Sequence, residues 1–339
     1  MKITEADIAV CEKSDTFLQS SMWGKFKSCF GWISRAFLLE IEGYKSSPFL
    51  VLTRSLTRFF SFIYIPWGPE LPSGFTQEER ENVLLEISKK IKPFLPLNCI
   101  FLRFEPPWFV QNNDKNFEIH GLKRAGVNIQ APDTVHLDLS LSNEDLLLQM
   151  KPKWRYNISL SEKKGVKVKC QSVNELEIFY NLLKQTAKRD GIAIHNFSYY
   201  KTLFELCSES ECKMKLYIAT HENDNLATIM VLFRGKYATY LYGASSDIKR
   251  NLMATYALQW EVIKDAKMQG CKYYDLFGIP PDDNPDHPMA GLYRFKTGFG
   301  GLIIKRPGTW DYPYKPVVYY FFKKAESLRK KTRDIKKKK

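Results

Sequence analysis

The second half of the chain carries an apolar pattern that changes from strand-like to helix-like and back. A β-rich run at 237–242 stops at the small residues Gly243-Ala244-Ser245-Ser246. The next apolar positions are spaced four, four and three residues apart, as on the buried face of a helix: Leu252, Tyr256, Trp260 and Ile263. Gly270 is placed to end this helix, and a strand is predicted over 272–277.

The first half repeats this order of elements. Strands are predicted over 33–41, 49–52 and 60–65, the last of which runs into the turn Pro66-Trp67-Gly68. Thr76 followed by Glu79 is typical of a capping box that begins a helix, and a strand at 99–104 comes after that helix. Each half therefore predicts two neighbouring strands joined by a right-handed helical crossover. An internal duplication explains the repetition, and chance similarity of two α/β units is the alternative.

Composition and charge narrow the class of protein. Seven cysteines among 339 residues are scattered without the spacing of a zinc site, which predicts no metal and suits a reducing cytosol. The N-terminus has no apolar signal-peptide segment, and no run of about 18 apolar residues predicts a membrane span. The net charge of +14 is compatible with nucleic acid, a phosphorylated substrate or an anionic membrane.

Three ordered motifs carry a resemblance to a known family. They are YGASS at 242–246, RNLMATYALQWEVIKDAKMQGCKYYDLFGIP at 250–280 and GLYRFKTGFGG at 291–301. Together they resemble the FemABX family of peptidoglycan bridge-forming aminoacyltransferases. The resemblance implies an α/β (α+β) fold of two tandem GNAT-like domains. These would be 1–140 completed by 308–339, and 141–307 with the motifs. Only about 45 residues separate Lys164 from Glu209, so the long helical arm of some family members is not expected.

The donor suggested by the resemblance is aminoacyl-tRNA. An acyl-CoA transferase holds pyrophosphate on a glycine-rich loop at a helix N-terminus, whereas 250–255 contains no glycine. No cofactor is therefore expected. The resemblance places Phe295 and Lys296 where the tRNA 3′ end meets the acyl group, with Lys296 as a cation that stabilises the tetrahedral intermediate. A surface lysine beside a glycine turn is the alternative for Lys296. Lys153 and Arg155 belong to a basic segment that either contacts tRNA phosphates or is a solvated helix face.

The acceptor suggested by the resemblance is a UDP-linked or lipid-linked muramyl pentapeptide. The family's Trp-x-x-x-Lys pattern maps onto Trp23 and Lys27, and Lys27 would contact the diphosphate. The family's second phosphate ligand is an arginine before a tyrosine-containing helix. Here His195, with Tyr199 after it and Arg189 before it, stands near that place, so the second contact stays open.

Three further residues complete the candidate site. The resemblance suggests Tyr242 and Tyr256 as acceptor contacts, with core packing as the alternative for Tyr256. Glu105 matches an acidic position that could take a proton from the acceptor amine or bind it as ammonium. Loop structure is the alternative for Glu105.

The predicted function is aminoacyl transfer from aminoacyl-tRNA to the peptidoglycan stem peptide. Transfer to a protein N-terminus or a small-molecule amine, and non-catalytic tRNA or membrane binding, are the alternatives. Residues 323–339 hold ten Lys or Arg and two acids. This tail is solvated and disordered, or it binds tRNA phosphates, or it tethers the protein to anionic lipid. We predict a cytoplasmic protein that binds the inner membrane face peripherally through this tail.

Overall fold

The chain folds into two compact units. The computed structural model describes residues 1–110 and 117–338, with side chains up to residue 329. Unit 1 is Met1–Pro132 together with the C-terminal segment from Lys305, and unit 2 is Asp133–Ile304.

Both units contain strands and α-helices. The strands, in chain order, are β1 (Lys2–Ala6), β2 (Ile33–Glu40), β3 (Ser47–Thr57), β4 (Phe60–Ile65), β5 (Cys99–Phe104), β6 (Lys123–Arg124), β7 (Thr134–Asp138), β8 (Lys167–Gln171), β9 (Lys213–His221), β10 (Asp224–Arg234), β11 (Tyr237–Ser245), β12 (Tyr273–Asp275), β13 (Leu302–Ile304) and β14 (Trp310–Pro313). The α-helices are α1 (Ser21–Ser28), α2 (Gln77–Lys90), α3 (Asn143–Gln149), α4 (Pro152–Lys163), α5 (Leu176–Asp190), α6 (Phe197–Ser208), α7 (Ala254–Met268), α8 (Ala290–Thr297) and α9 (Pro316–Lys338).

Each unit is built on one mixed sheet. In unit 1 the strand order is β1-β2-β3-β4-β5-β14-β6, and in unit 2 it is β13-β7-β12-β11-β10-β9-β8. The strand pairs β4/β5 and β11/β12 are parallel, and the helices α2 and α7 connect them. The other recorded strand pairs are antiparallel. These two crossovers are the ones predicted from the repeated order of elements.

Local sequence signals account for the crossover helices. Thr76 and Glu79 form the predicted capping box at the start of α2. Gly270, with φ +80°, follows the last turn of α7 as predicted. The buried side of α7 is broader than the predicted stripe, because the helix packs against both α4 and the strands β9 and β10. Leu252 lies in a 3₁₀ turn before α7 rather than inside it.

One strand pairs differently from the sequence expectation. Residues up to 140 are predicted in the first domain, whereas β7 hydrogen-bonds to β12 and β13 and so lies in the sheet of unit 2. An apolar strand between two domains carries no local signal that tells which sheet it joins. Between Lys164 and Glu209 the chain forms β8, α5 and α6, and no long helical arm is inserted.

The C-terminal segment begins as part of unit 1. β14 pairs with β5, and α9 follows it. The Glu326 carboxylate accepts a hydrogen bond of 2.9 Å from Arg103 on β5, and Lys323 donates one of 2.8 Å to the Arg124 carbonyl. The start of the predicted tail is therefore a packed helix, whereas the side chains of 330–339 lie outside the described residues. Within the described residues, no helix is long and apolar enough to cross a bilayer.

Candidate functional site

Lys296 is a buried lysine of unit 2. Its side chain, on α8, is 5% exposed. Nζ donates hydrogen bonds of 2.9 Å to the Gly278 carbonyl and 3.1 Å to the Phe277 carbonyl, and lies 5.1 Å from the centre of the Tyr240 ring. Burial lowers the pKa of Lys296 to about 7, while nearby Asp275 acts in the opposite direction. The amine is therefore poised between its charged and neutral forms at neutral pH.

Asp275 shapes the turn that holds Lys296. It ends β12, and its Oδ1 accepts hydrogen bonds of 2.8 Å from the Phe277 N–H and 2.5 Å from the Thr134 hydroxyl. His136 Nε2 lies 3.4 Å from Oδ2 of the same carboxylate. Phe277 adopts a φ of +56°, so the fixed turn presents its carbonyl to Lys296. Asp275 is not among the predicted site residues, although an aspartate directly after an apolar strand is a usable sequence signal.

Aromatic side chains surround the neighbouring Phe295. Its ring packs against Tyr256 at 5.4 Å and Phe299 at 5.2 Å between ring centres. Its carbonyl accepts a 2.9 Å hydrogen bond from Trp154 Nε1. The structure thus brings together Phe295 and Tyr256, two of the residues predicted for the site.

The glycines after Lys296 allow close packing. A Cβ atom on Gly298 would lie 2.1 Å from the Trp154 ring, and the Gly298 carbonyl accepts a 2.9 Å hydrogen bond from the Lys151 N–H. Gly301 has φ +81°, and a Cβ there would lie 2.4 Å from the His136 carbonyl oxygen. These glycines therefore allow a tight bend and close packing against other protein atoms.

Two cavities adjoin this region and share Ser245, Thr255 and Phe295 among their lining residues. The smaller, about 170 Å³, extends toward Tyr240. The larger, about 470 Å³, lies at the start of α7, where no side chain caps the helix. The preceding loop reaches left-handed φ values at Lys249 and Met253 without glycine, so side chains stand there instead of bare backbone.

The structure gathers three of the predicted acceptor residues of unit 2 in one aromatic cluster. The His195 ring stacks on Tyr199 at 3.8 Å, and Tyr200 lies 5.1 Å from Tyr242. Tyr199 and Tyr242 also share a side-chain hydrogen bond. Burial raises the pKa of the Tyr242 phenol well above its usual value. These hydroxyl groups are neutral at physiological pH and suit hydrogen bonding to an uncharged group.

Arg189 is already engaged with carboxylates of unit 2. Its guanidinium lies 2.9 Å from Asp190 and 2.8 Å from Asp247, and it donates a 3.1 Å hydrogen bond to the Ser245 carbonyl. Because these partners occupy its donors, Arg189 positions the 245–247 segment instead of standing free for a phosphate.

Lys27 of unit 1 lies in a cationic, aromatic cluster. Its Nζ is 5.5 Å from the Trp23 ring centre and 5.3 Å from that of Trp32. The Arg54 guanidinium is 5.1 Å from Trp32. Burial and the charge of Arg54 lower the pKa of Lys27 to about 8. We call Trp23, Lys27, Trp32 and Arg54 the Lys27 cluster.

The Lys27 cluster places two cations beside a buried indole N–H. Among the residues that the structure describes, neither Lys27 nor Arg54 pairs with a carboxylate, and the buried Trp32 Nε1 has no hydrogen-bond acceptor. Two cations beside an unsatisfied N–H are suited to an anion. Sequence reasoning found Trp23 and Lys27 but missed Trp32 and Arg54, which local patterns do not connect to them.

Glu105 lies inside unit 1 and is 3% exposed. Its Oε1 accepts hydrogen bonds of 2.8 Å from each of the Ile129 N–H, the Gln130 N–H and the Thr309 hydroxyl, while Oε2 accepts one from Tyr64. Burial raises the pKa of this carboxyl although these donors oppose the shift. The occupied oxygens favour the loop-structure alternative, in which Glu105 holds the 129–130 loop.

The two predicted tRNA-contacting residues of α4 differ in their surroundings. Arg155 donates a 2.5 Å hydrogen bond to the Met150 carbonyl and so satisfies the end of α3. Lys153 is exposed. Of the two, Lys153 is the more exposed to solvent. Among the described residues, no group of three or more potential ligands could hold a metal ion.

Solved structures establish the fold class. The crystal structure of FemX superposes with a TM-score of 0.79 at 19% identity, covering 95% of this chain and all 100% of that one. A conserved protein of unknown function from Bacteroides thetaiotaomicron superposes with a TM-score of 0.52 at 9% identity, covering 91% and 98%. The predicted α/β fold of two tandem domains without an inserted arm is confirmed.

Sequence relatives agree with the structural match. A lipid II:glycine glycyltransferase of Staphylococcus epidermidis is 22% identical over 91% of this chain and 90% of its own length. The protein of the same name from Staphylococcus haemolyticus is 23% identical with the same coverage. The sequence profile of the FemAB family matches residues 117–221 and 208–327. Because these matches cover more than half of the sequence, the chain belongs to the FemAB family, as its motifs predicted.

Proposed function

We propose that the protein is an aminoacyltransferase that moves an amino acid from aminoacyl-tRNA to an amine of the peptidoglycan stem peptide. The observation that carries this proposal is the buried Lys296, hydrogen-bonded to the Phe277 and Gly278 carbonyls, next to Phe295, which lines a cavity. The relatives' name, lipid II:glycine glycyltransferase, favours a lipid-linked muramyl peptide as acceptor over a UDP-linked one. Such a reaction builds an interpeptide bridge or side branch and needs no cofactor.

The cavity at the start of α7 is suited to the donor end. Its walls include the rings of Phe295 and Tyr256, on which the terminal adenine could stack. The uncapped N–H groups of α7 and the exposed Arg250 provide positive charge for a phosphate. Lys153 remains the candidate for a further tRNA contact.

The chemical step replaces an ester with an amide. The acceptor amine attacks the carbonyl carbon of the aminoacyl ester, a C–N bond forms, and the C–O bond to the tRNA ribose breaks. The amine loses one proton and the leaving ribose oxygen gains one. The barrier is the negatively charged tetrahedral intermediate, which a fixed cation stabilises.

Lys296 can provide this cation from its buried position. An ammonium group has three N–H donors, and the carbonyls of Phe277 and Gly278 use two of them. The third remains for the developing oxyanion. A neutral amine would use both its donors on these carbonyls, so the proposed role requires the protonated form.

The Lys27 cluster is proposed to bind the acceptor diphosphate. Lys27 and Arg54 supply two positive charges, and Trp32 supplies an N–H donor. Arg54 takes the place of Arg189 as the proposed second cation. We expect Arg54→Ala to raise the acceptor KM by about tenfold or more with kcat nearly unchanged, because charge-assisted contacts typically contribute roughly 1.5–3 kcal/mol. Arg58→Ala, a neighbouring exposed arginine in the hairpin after β3, is the matched control.

The test is transfer with purified components. Individual charged tRNAs are incubated with lipid-linked and UDP-linked muramyl pentapeptides, and the products are identified by mass spectrometry. The proposal predicts one added residue on the stem peptide from a charged tRNA. Transfer from an acyl-CoA, with none from any charged tRNA, would refute the proposal. Transfer only to a protein N-terminus or a small-molecule amine would change the proposed acceptor.

A further inference from the structure

The outward face of α9 is unusually apolar for a helix on the surface of a unit. Exposure along 316–329 repeats with a helical period. Four large apolar side chains on the outer side are strongly exposed: Val317 (72%), Tyr320 (53%), Phe321 (64%) and Leu328 (64%). Their spacing of three, one and seven residues keeps them on one side of a helix. We call these four residues the α9 outer face.

The inner side of α9 anchors the helix to unit 1. Tyr319 is 2% exposed, and its hydroxyl donates a 2.9 Å hydrogen bond to Asp311. The Phe322 ring lies 5.0 Å from Phe101, and Glu326 pairs with Arg103 at 2.9 Å. The carboxylate is therefore turned inward while apolar groups are turned outward. This is the reverse of the usual arrangement for a helix that faces water.

Basic groups accompany the α9 outer face. Lys324 stands on the same side, with its Nζ 4.5 Å from the Tyr320 ring. Residues 323–339 contain ten Lys or Arg against two acids, and one of those acids, Glu326, is neutralised by Arg103. An apolar stripe flanked by lysines, whose long side chains can reach past it to charged headgroups, is typical of interfacial helices.

Two more exposed apolar side chains lie at the same end of the sheet as the start of α9. They are Phe59 (60% exposed) and Leu97 (97% exposed). Phe59 lies two residues before Ser61, and Leu97 lies two residues before Cys99, which pairs with Ser61. The Tyr314 and Lys315 N–H groups bond to the Ile100 carbonyl, which brings the start of α9 to this end of β5. Exposed apolar side chains therefore occur both on α9 and at the end of β4 and β5 where α9 begins.

We propose that the α9 outer face is a docking surface for an anionic lipid bilayer, in which Val317, Tyr320 and Phe321 enter the interface and the lysines contact headgroups. The positive charge of the segment selects lipid over a second copy of this equally basic chain. The proposal deepens the proposed function, since an enzyme with a lipid-linked acceptor would meet it at a membrane surface. It rests on that function only for the choice of a lipid bilayer as the partner. It differs from a purely electrostatic tether because apolar insertion is required.

The test compares matched variants in vesicle flotation. The full-length protein is mixed with vesicles of phosphatidylcholine containing phosphatidylglycerol. We expect Tyr320→Ser/Phe321→Ser to weaken partitioning by at least tenfold, because the apolar area that would leave water is lost. Met268→Ser, which removes a 78% exposed apolar side chain from α7, should leave the partitioning onto vesicles unchanged. Thermal unfolding verifies that both variants fold.

Other outcomes overturn the proposal in distinguishable ways. Unchanged partitioning of the double variant, with loss only on deletion of 330–339, would mean a tether by charge alone. No vesicle binding, together with a concentration-dependent dimer that the double variant abolishes, would make the face an interface between copies. Vesicle binding is measured without substrates, so an absence of transferase activity refutes the proposed function and leaves this result standing.

Discussion

Replacing Lys296 with methionine tests the role of its charge most sharply. The substitution keeps an unbranched side chain and removes the amine that bonds to Phe277 and Gly278. Loss of a preorganised cation typically costs about 3 kcal/mol of transition-state stabilisation, or roughly 100-fold or more in kcat. Acceptor KM should change far less, because the charge acts on the intermediate.

The pH dependence follows from the pKa of about 7 for Lys296. If the protonated form is active, its fraction falls from about nine-tenths at pH 6 to about one-tenth at pH 8. The acceptor amine also titrates, so the useful quantity is the ratio of wild-type kcat to Lys296→Met kcat at each pH. The ratio cancels the acceptor's titration and should fall about tenfold over this range. A ratio that rises with pH would make the neutral amine the active form, and a flat ratio would refute a titrating role.

A stability measurement checks the same pKa without catalysis. The pKa of Lys296 in the folded chain lies below its ordinary value of 10.5. Between about pH 7 and 10.5 the unfolded chain therefore binds a proton that the folded chain does not. The free energy of unfolding of the wild type, minus that of Lys296→Met, should fall as pH drops through this window and level off below about pH 7.

The remaining predictions concern other parts of both units. Lys27→Ala should raise the acceptor KM by roughly 10-fold to 100-fold, with Lys25→Ala on the same helix as control, and a change confined to the tRNA KM would reassign Lys27 to the donor. Gly298→Ala should destabilise unit 2 by about 1–3 kcal/mol in denaturant unfolding through collision with Trp154, and unchanged stability would contradict the packing argument. Glu105→Gln should lower the Tm while kcat of the remaining folded protein is kept, and loss of kcat without loss of stability would restore the catalytic reading.

Much of the fold follows from local sequence signals. The capping box of Thr76 and Glu79, the helix stop at Gly270 and the alternation of strand and helix depend on neighbours within a few residues. Local signals do not determine which sheet β7 joins, because its partners β12 and β13 are far away in sequence. Periodicity reports that a strand is buried but not which sheet buries it.

The candidate site shows the same division. Lys296 and Phe295 stand in a motif, and the grouping of His195, Tyr199 and Tyr242 was expected from the resemblance. The carboxylate of Asp275 meets Thr134 across 141 residues of chain, and no pattern of spacing predicts such a contact. Arg189 and Glu105 have the charges expected of site residues, but their partners occupy those charges, and only the tertiary contacts reveal it.

The measurement that tests the account most directly is the fate of a labelled amino acid on tRNA. Wild-type protein is mixed with labelled aminoacyl-tRNA and lipid-linked muramyl pentapeptide in detergent, and the label is followed by chromatography and mass spectrometry. We expect that the label leaves tRNA and appears in an amide bond on the stem peptide, at a rate that Lys296→Met reduces roughly 100-fold or more. Label that stays on every charged tRNA tested, while an acyl-CoA modifies the same acceptor, would contradict it.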